Sequence, residues 1–390
     1  MRQIALALLA FLSCLSPAVA EDNRLVVHEW GTFTSLQDEN GRALGAINQD
    51  VEPLPDFVKN LFPADTSSPF SKGVAVSPDV TMRLETPVVY FHPPQGSKPL
   101  DVSFSAEFHG GLLTQFYPDA TFTPPSEKIG RDTVGKLQWR NLTVGTGKPG
   151  PATTSRVWLA PRKVNAADVT AANGDNERYL FYRGVGHLDS PLRVQHDGGT
   201  LRISGHSNIL CDLLESLRVD DLWYLDVAAD GRSAFRKLPP TLITQSESMR
   251  LNCSTAEAFE PSEYANDGIT KLRAEMKPAL MKAGLFDDEA EAMLNTWEEA
   301  YFKSPGTRVL YIVPRIWVDS ILPIKLSVDA QIERVMVGRI DLVTPKQRQL
   351  ARQYLAISDR GIANAQLLYK QLGRFAGPII DDENTRAVKN

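Results

Sequence analysis

The sequence predicts an α+β protein: an antiparallel β-rich, sandwich-like N-terminal and central region, then a C-terminal helical region packed on one or two strands. Three observations carry this. Short strand-like runs with turn signals recur at intervals of roughly ten residues as far as residue 260. Residues 101–109, DVSFSAEFH, alternate strictly between apolar and polar. After Pro261 the apolar spacing becomes helical, with Ile269, Leu272, Met276 and Leu280 on one stripe.

The first 20 residues read as a secretory signal. Arg2 opens them, 4–15 is a short apolar run, and Ala18-Val19-Ala20 is a small-residue cleavage site. A soluble protein starting near Glu21 is expected, in the periplasm or secreted. No other apolar stretch reaches spanning length, so no transmembrane segment is expected. The formal net charge of −5 becomes −6 once Arg2 is removed. That balance gives no support to nucleic-acid or polybasic membrane binding. Two cysteines, Cys211 and Cys253, remain after cleavage, and in an oxidising compartment they most simply form a disulfide. On the chain-entropy model such a closure is worth about 4 kcal/mol. A metal or catalytic thiol is the sharper alternative.

The β-rich domain is expected over 21–260. Residues 25–34 (LVVHEWGTFT) form the first strand. Residues 35–81 carry Pro53, Pro55, Pro63, Pro69 and Pro78 and read as a long loop, with a short helix at 55–62. Residues 82–92 (MRLETPVVYFH) form the second strand, with Pro87 placing its later half at an edge or bulge. In 101–109, period two puts Val102, Phe104, Ala106 and Phe108 on one face and Glu107 with His109 on the other. Gly110-Gly111 breaks this strand, 112–117 resumes it, and 137–144, 156–159 and 178–183 are further strands. Asp197-Gly198-Gly199 and 229–232 are hairpin turns between 192–196 and 200–204, and between 222–228 and 234–238.

The second region is expected over 261–378. Residues 268–283 form a helix interrupted at Pro278. A helix over 287–302 follows, with Asp288 and Glu291 as its capping box. Strands at 307–313 and 334–343 and helices at 345–355 and 359–375 complete it, and 379–390 is read as a frayed polar tail.

HExxH, P-loop, GxSxG, CxxC, haem-attachment and dinucleotide-binding glycine patterns are all absent. The chemistry must therefore come from polar groups embedded in strands. Glu107 and His109 share a strand face and suit one metal or one water. His28 and Glu29 are adjacent, so they point to opposite faces; Arg83 and Glu85 share a face, as an ion pair or as an acid–base group with an anion-orienting Arg. His187 and Asp189 lie in the glycine-flanked RGVGHLD, with His196 and His206 further on. Arg315 and Asp319 follow a strand and read as a staple, and Trp297 reads as core. The candidate catalytic residues are thus Glu29, Arg83, Glu85 and Glu107; the candidate metal ligands are His28, His109 and His187; the cofactor these would suit is a divalent metal. Glu85 and Glu107 or His109 are expected on the same side of one sheet.

HEWGTFT near the mature N-terminus, RLETPVVYF, RYLFYRGVG, GTRVLYIVPR and RVMVGRIDLVTP together resemble a family of exported bacterial proteins marked by HEWGTFT and RxETPVxYF motifs. The resemblance spans most of the mature chain. It implies export and a single co-occurring unit, and it brings no activity, cofactor or catalytic residue. The functional expectation is a hydrolase with a carboxylate/His site, open to assistance by a metal, acting on an extracellular substrate. The alternative is a non-catalytic periplasmic binding or assembly protein with a protein partner.

Overall fold

A computed structural model of the chain describes residues 24–47, 54–61, 78–124, 128–206, 216–244, 252–357 and 362–389. The expected signal peptide, Cys211, and residues 48–53 and 62–77 of the proline-rich 35–81 loop lie outside the described residues. The class is α+β: a large mixed, unclosed sheet with helices on its outer side and at the C-terminal end.

The HEWGTFT strand, Leu25–Gln37, sits near the middle of that sheet. One side pairs antiparallel with the RLETPVVYF strand, Met82–His92. The other pairs in parallel with Ala330–Leu342 over all thirteen positions. Beyond Met82–His92 the path continues through Leu180–Gly186, Gly111–Tyr117, Val134–Val144 and Leu100–His109; beyond Ala330–Leu342 it continues through Gly306–Ile312, Leu222–Val227 and Ser233–Leu238. The two expected hairpins form, as Leu192–Asp197 with Thr200–Gly205 and as Leu222–Val227 with Ser233–Leu238. The C-terminal strands therefore complete the N-terminal sheet.

The alternation at 101–109 is realised as written: Val102, Phe104, Ala106 and Phe108 are buried and their neighbours are half-exposed. These apolar residues join Phe33, Leu84 and Val89 in one core. The Phe33 and Phe108 rings lie 6.5 Å apart although their strands are distant in the sheet order, so the sheet curls over this core. The segment between Ile312 and Ala330 spans the remaining gap: its helix Arg315–Ile321 carries Trp317 onto Phe33 at 5.1 Å, and Ile324–Leu326 pairs with the far edge strand.

A second core lies on the convex side, where Trp30, Val88 and Tyr90 meet the helices Gly268–Lys282 and Asp287–Thr296. Gly268–Lys282 runs through Pro278 as one helix rather than two. The helix after Asp287 ends at Thr296 and continues as a π-helical turn, Glu298–Lys303. Trp297 is core, 6.1 Å from Trp30.

Four expectations are corrected. Arg156–Leu159 is a short helix, not a strand; Trp158 is its one buried residue, held by an indole hydrogen bond of 2.7 Å to the buried Glu177. A two-residue strand, Lys59–Asn60, stands where a helix was expected. The polar tail is a helix, Ala376–Lys389, whose acids have a buried basic partner: Arg348 reaches Asp382 at 2.8 Å and Glu383 at 3.5 Å, and it also ties the helix to Glu39 at 2.6 Å. Cys253 is a free buried thiol that accepts a hydrogen bond from Thr241 at 3.3 Å, and burial pushes its pKa up; its expected disulfide is not formed at this end.

Candidate functional site

The pleat separates His28 from Glu29 as the sequence requires. Glu29 points into the concave core, fully buried, where Tyr182 and Arg334 bind its two oxygens; the Arg334 Nε contact is 2.6 Å. Arg334 stands directly opposite Glu29 in the parallel register and reaches Asp319 at 2.7 Å with its other arm. Asp319 also pairs with Arg315 at 2.9 Å, so this loop-to-helix segment is the staple the sequence suggested. Glu29 has no route to a substrate.

Arg83 and Glu85 face the convex core as an ion pair of 3.1 Å. Arg374, from just before the last helix, binds the same carboxylate, and Thr34 donates to it at 2.7 Å alongside Tyr301. Burial alone would raise the Glu85 pKa; Arg374 and Arg83 overcome it and hold the carboxyl well below its usual value. The cavity between Glu85, Thr86, Arg183 and Tyr301 measures about 20 Å³, which is room for one water. Thr86 has φ +53° at the bulge before Pro87, a strained position for a β-branched residue. This is a tight buried network and not a substrate pocket.

Glu107 and His109 stay on the open outer face. Glu107 is bound by Lys136 at 2.7 Å, and His109 lies 3.6 Å from it and 3.1 Å from the Ser320 carbonyl oxygen. Glu85 and Glu107 both point away from the concave core, yet three strands separate them and helices cover only Glu85. The proposed catalytic set of Glu29, Arg83, Glu85 and Glu107 does not converge. Nor does the metal set of His28, His109 and His187. Each belongs to a different surface, because strand register and sheet curl, invisible in the sequence, decide which faces meet.

His187 lines a cleft of about 480 Å³. It opens at the Gln37 end of the HEWGTFT strand, between residues 40–43, Arg131 and the 187–193 segment. His187 Nδ1 lies 2.6 Å from the Asp79 carbonyl oxygen. A carbonyl accepts only, so Nδ1 carries a proton, and in the neutral ring the lone pair is on Nε2. Asp189 is paired with Arg131. Arg193 donates twice to the neutral Asn40 carbonyl, at 2.9 and 2.7 Å, while Arg42 is matched by Asp38 and Asp382. His206 lines the same cleft with Nδ1 buried and unpartnered among the described residues; burial, helped by Arg193 and Arg131, lowers its pKa. His196 is instead bound to Glu257 at 3.0 Å, away from the cleft lining.

The remaining cluster was only half visible in the sequence. Register places His28 opposite Tyr90 and Val26 opposite His92, so His28 and His92 are same-face diagonal neighbours with ring centroids 5.2 Å apart. Glu289, in the first turn of Asp287–Thr296, drops between them: its Oε2 is 2.6 Å from His28 Nδ1 and its Oε1 is 2.9 Å from His92 Nε2. Glu289 is fully buried and also accepts the Phe286 backbone N–H at 2.8 Å, so it and not Asp288 or Glu291 closes the helix start. Burial opposes ionisation, but the two imidazoles and this N–H bring its pKa down to about 2. His92 closes the Met82–His92 strand, whereas nothing local sets Glu289 apart from the acids around it. A parallel signal was legible and missed: RVMVGRIDLV buries Arg334, Arg339 and Asp341 in an apolar strand just as the N-terminal motifs bury theirs.

No family model matches the chain, and no curated protein matches it. Among solved structures, the Fcho1 Mu homology domain of Danio rerio with bound Eps15 peptide is similar at a TM-score of 0.28 and 8% identity, over 82% of this chain and 95% of that one.

Proposed function

We propose that this is an exported, periplasmic binding protein that takes a small anionic ligand, carboxylate- or phosphate-bearing, in the cleft beside His187. The observation that supports the reading is the lining: Arg131 and Arg193 outnumber the single carboxylate, Asp189, in a cleft of about 480 Å³. That volume falls within the roughly 300–1,000 Å³ of small-molecule sites. Paired guanidinium forks are the donors best matched to carboxylate and phosphate oxygens. In the ligand-bound form Arg131 would exchange Asp189 for the ligand, and Arg193 would keep its charge because it holds a neutral carbonyl.

A second reading, hydrolysis of an anionic ester or amide, is favoured by His187. With Nδ1 fixed on a carbonyl, Nε2 is oriented as a general base toward water. A thermal-shift screen with succinate, glutamate and glucose 6-phosphate tests both readings. At least one class should raise the melting temperature, and Arg131→Ala should weaken it more than tenfold. Asp189→Asn should strengthen it by removing the competing anion. No shift with any class, or equal binding by Arg131→Ala, rejects the cleft as the site. If turnover is found, His187→Gln should bind and not turn over.

A further inference from the structure

We propose that His28, His92 and Glu289 form a binding site for a late first-row divalent cation, zinc by its chemistry, that joins the helix Asp287–Thr296 to the central sheet. The site is independent of the cleft. His28 and Gln37 are nine residues apart along one strand, about 30 Å.

Geometry is the first argument. One ligand atom from each residue lies within 4.8 Å of the other two. Zinc bonds of about 2.0–2.2 Å in a tetrahedron place ligand atoms about 3.3 Å apart. The contacts of 2.6 and 2.9 Å between Glu289 and the imidazoles thus need the carboxylate to withdraw by less than about 1 Å for a cation to enter. Donor chemistry is the second. Two imidazole nitrogens and one carboxylate suit zinc and its neighbours, whereas calcium and magnesium favour all-oxygen sets.

The surroundings are the third argument. Metal-ligating groups are held by outer hydrogen bonds, and the Phe286 N–H fixes Glu289 Oε2. The Phe286 ring packs at 4.4 Å from His28 and 5.0 Å from His92. Phe286 is nonetheless 47% exposed, a large apolar side chain lying as a cover over polar groups. His28 and Glu289 are sealed at 2% and 0%, while the His92 side chain keeps 14%, so His92 marks the way in. Three protein ligands leave a fourth position for water. Without a cation, the buried Glu289 carboxylate is compensated only by its contacts with the two imidazoles and the Phe286 N–H.

The test uses the full mature chain, stripped with EDTA and dialysed. Zinc chloride titrated calorimetrically should bind one equivalent and raise the melting temperature by several degrees. Cobalt(II) should give the visible bands of a low-coordinate N/O site. His92→Ala, the change at the most exposed ligand, should weaken zinc more than the roughly 10–100-fold expected of an outer partner. Should that variant not fold, Phe286→Ala serves instead: it leaves all three ligands and should speed zinc exchange. Absence of zinc binding in the wild type, or equal stoichiometry and affinity in both variants and wild type, overturns the proposal. Binding abolished by His187→Gln but not by His92→Ala also overturns it, and moves the metal to the cleft.

Discussion

Glu29 and Arg334 face each other across the central parallel strand pair at 2.5 Å, with neither side chain more than 1% exposed. Removing one member of such a pair strands a charge in the core. Glu29→Gln or Arg334→Met should each cost about 3–5 kcal/mol in urea denaturation. The double replacement Glu29→Met with Arg334→Met should recover part of that loss, since neither charge is then left alone. Equal or greater loss in the double variant would contradict pairing as the cause.

Acid should attack the Glu85 network early. The folded carboxyl titrates well below its usual value of 4.5, so its stabilisation is complete above that value and is lost as pH falls toward the folded one. Melting temperatures from pH 7 to 3 should fall steeply below about 4.5. Glu85→Gln should start lower at pH 7 and show a shallower acid slope.

Gly338 pairs with Tyr311, whose ring leaves no space for a side chain: a Cβ there would sit 2.1 Å from the ring. Tyr311 cannot swing aside cheaply, because it is buried and its hydroxyl bonds Ser190 at 2.8 Å. Gly338→Ala should therefore destabilise by about 1–3 kcal/mol, read as a lower urea midpoint at unchanged slope.

The last helix hangs on Arg348, which is 4% exposed and joins Glu39, Asp382 and Glu383. Arg348→Ala leaves those acids facing one another. Limited proteolysis should then cut near residues 373–376 at least several-fold faster than in the wild type, while the central sheet keeps its melting transition. Unchanged cutting would mean that apolar packing by Phe375 and Ile379 is sufficient.

How much of this was legible can be judged from single residues. The period-two run at 101–109, the Asp197-Gly198-Gly199 turn and the 269–280 stripe are local signals, and each became the element it announced. The adjacency rule separated His28 from Glu29 before any coordinates. What stayed hidden was pairing. Nothing in HEWGTFT says that its second neighbour is RVMVGRIDLV, so Glu29 had no visible partner and was read as a candidate base. Likewise Glu289 is one of several acids in DDEAEAML until the helix is laid on the sheet. Arg156–Leu159 differs for another reason: β-favouring Val157 and Trp158 stand in a short helix that puts Trp158 among Phe57, Tyr117, Tyr179 and Phe181 with its indole on Glu177.

The contact between Glu29 and Arg334 closes 305 residues of chain. Until Ala330–Leu342 is available, the first strand offers a bare, apolar edge along its whole length. A nascent or threaded chain must carry that edge unprotected through nearly its entire emergence, and contacts of such long range are gained late and slowly. The centre of this sheet is thus the last part to be decided, which makes the route to the fold, more than the finished fold, the point at which a holding chaperone would matter and at which C-terminal truncation would do most harm.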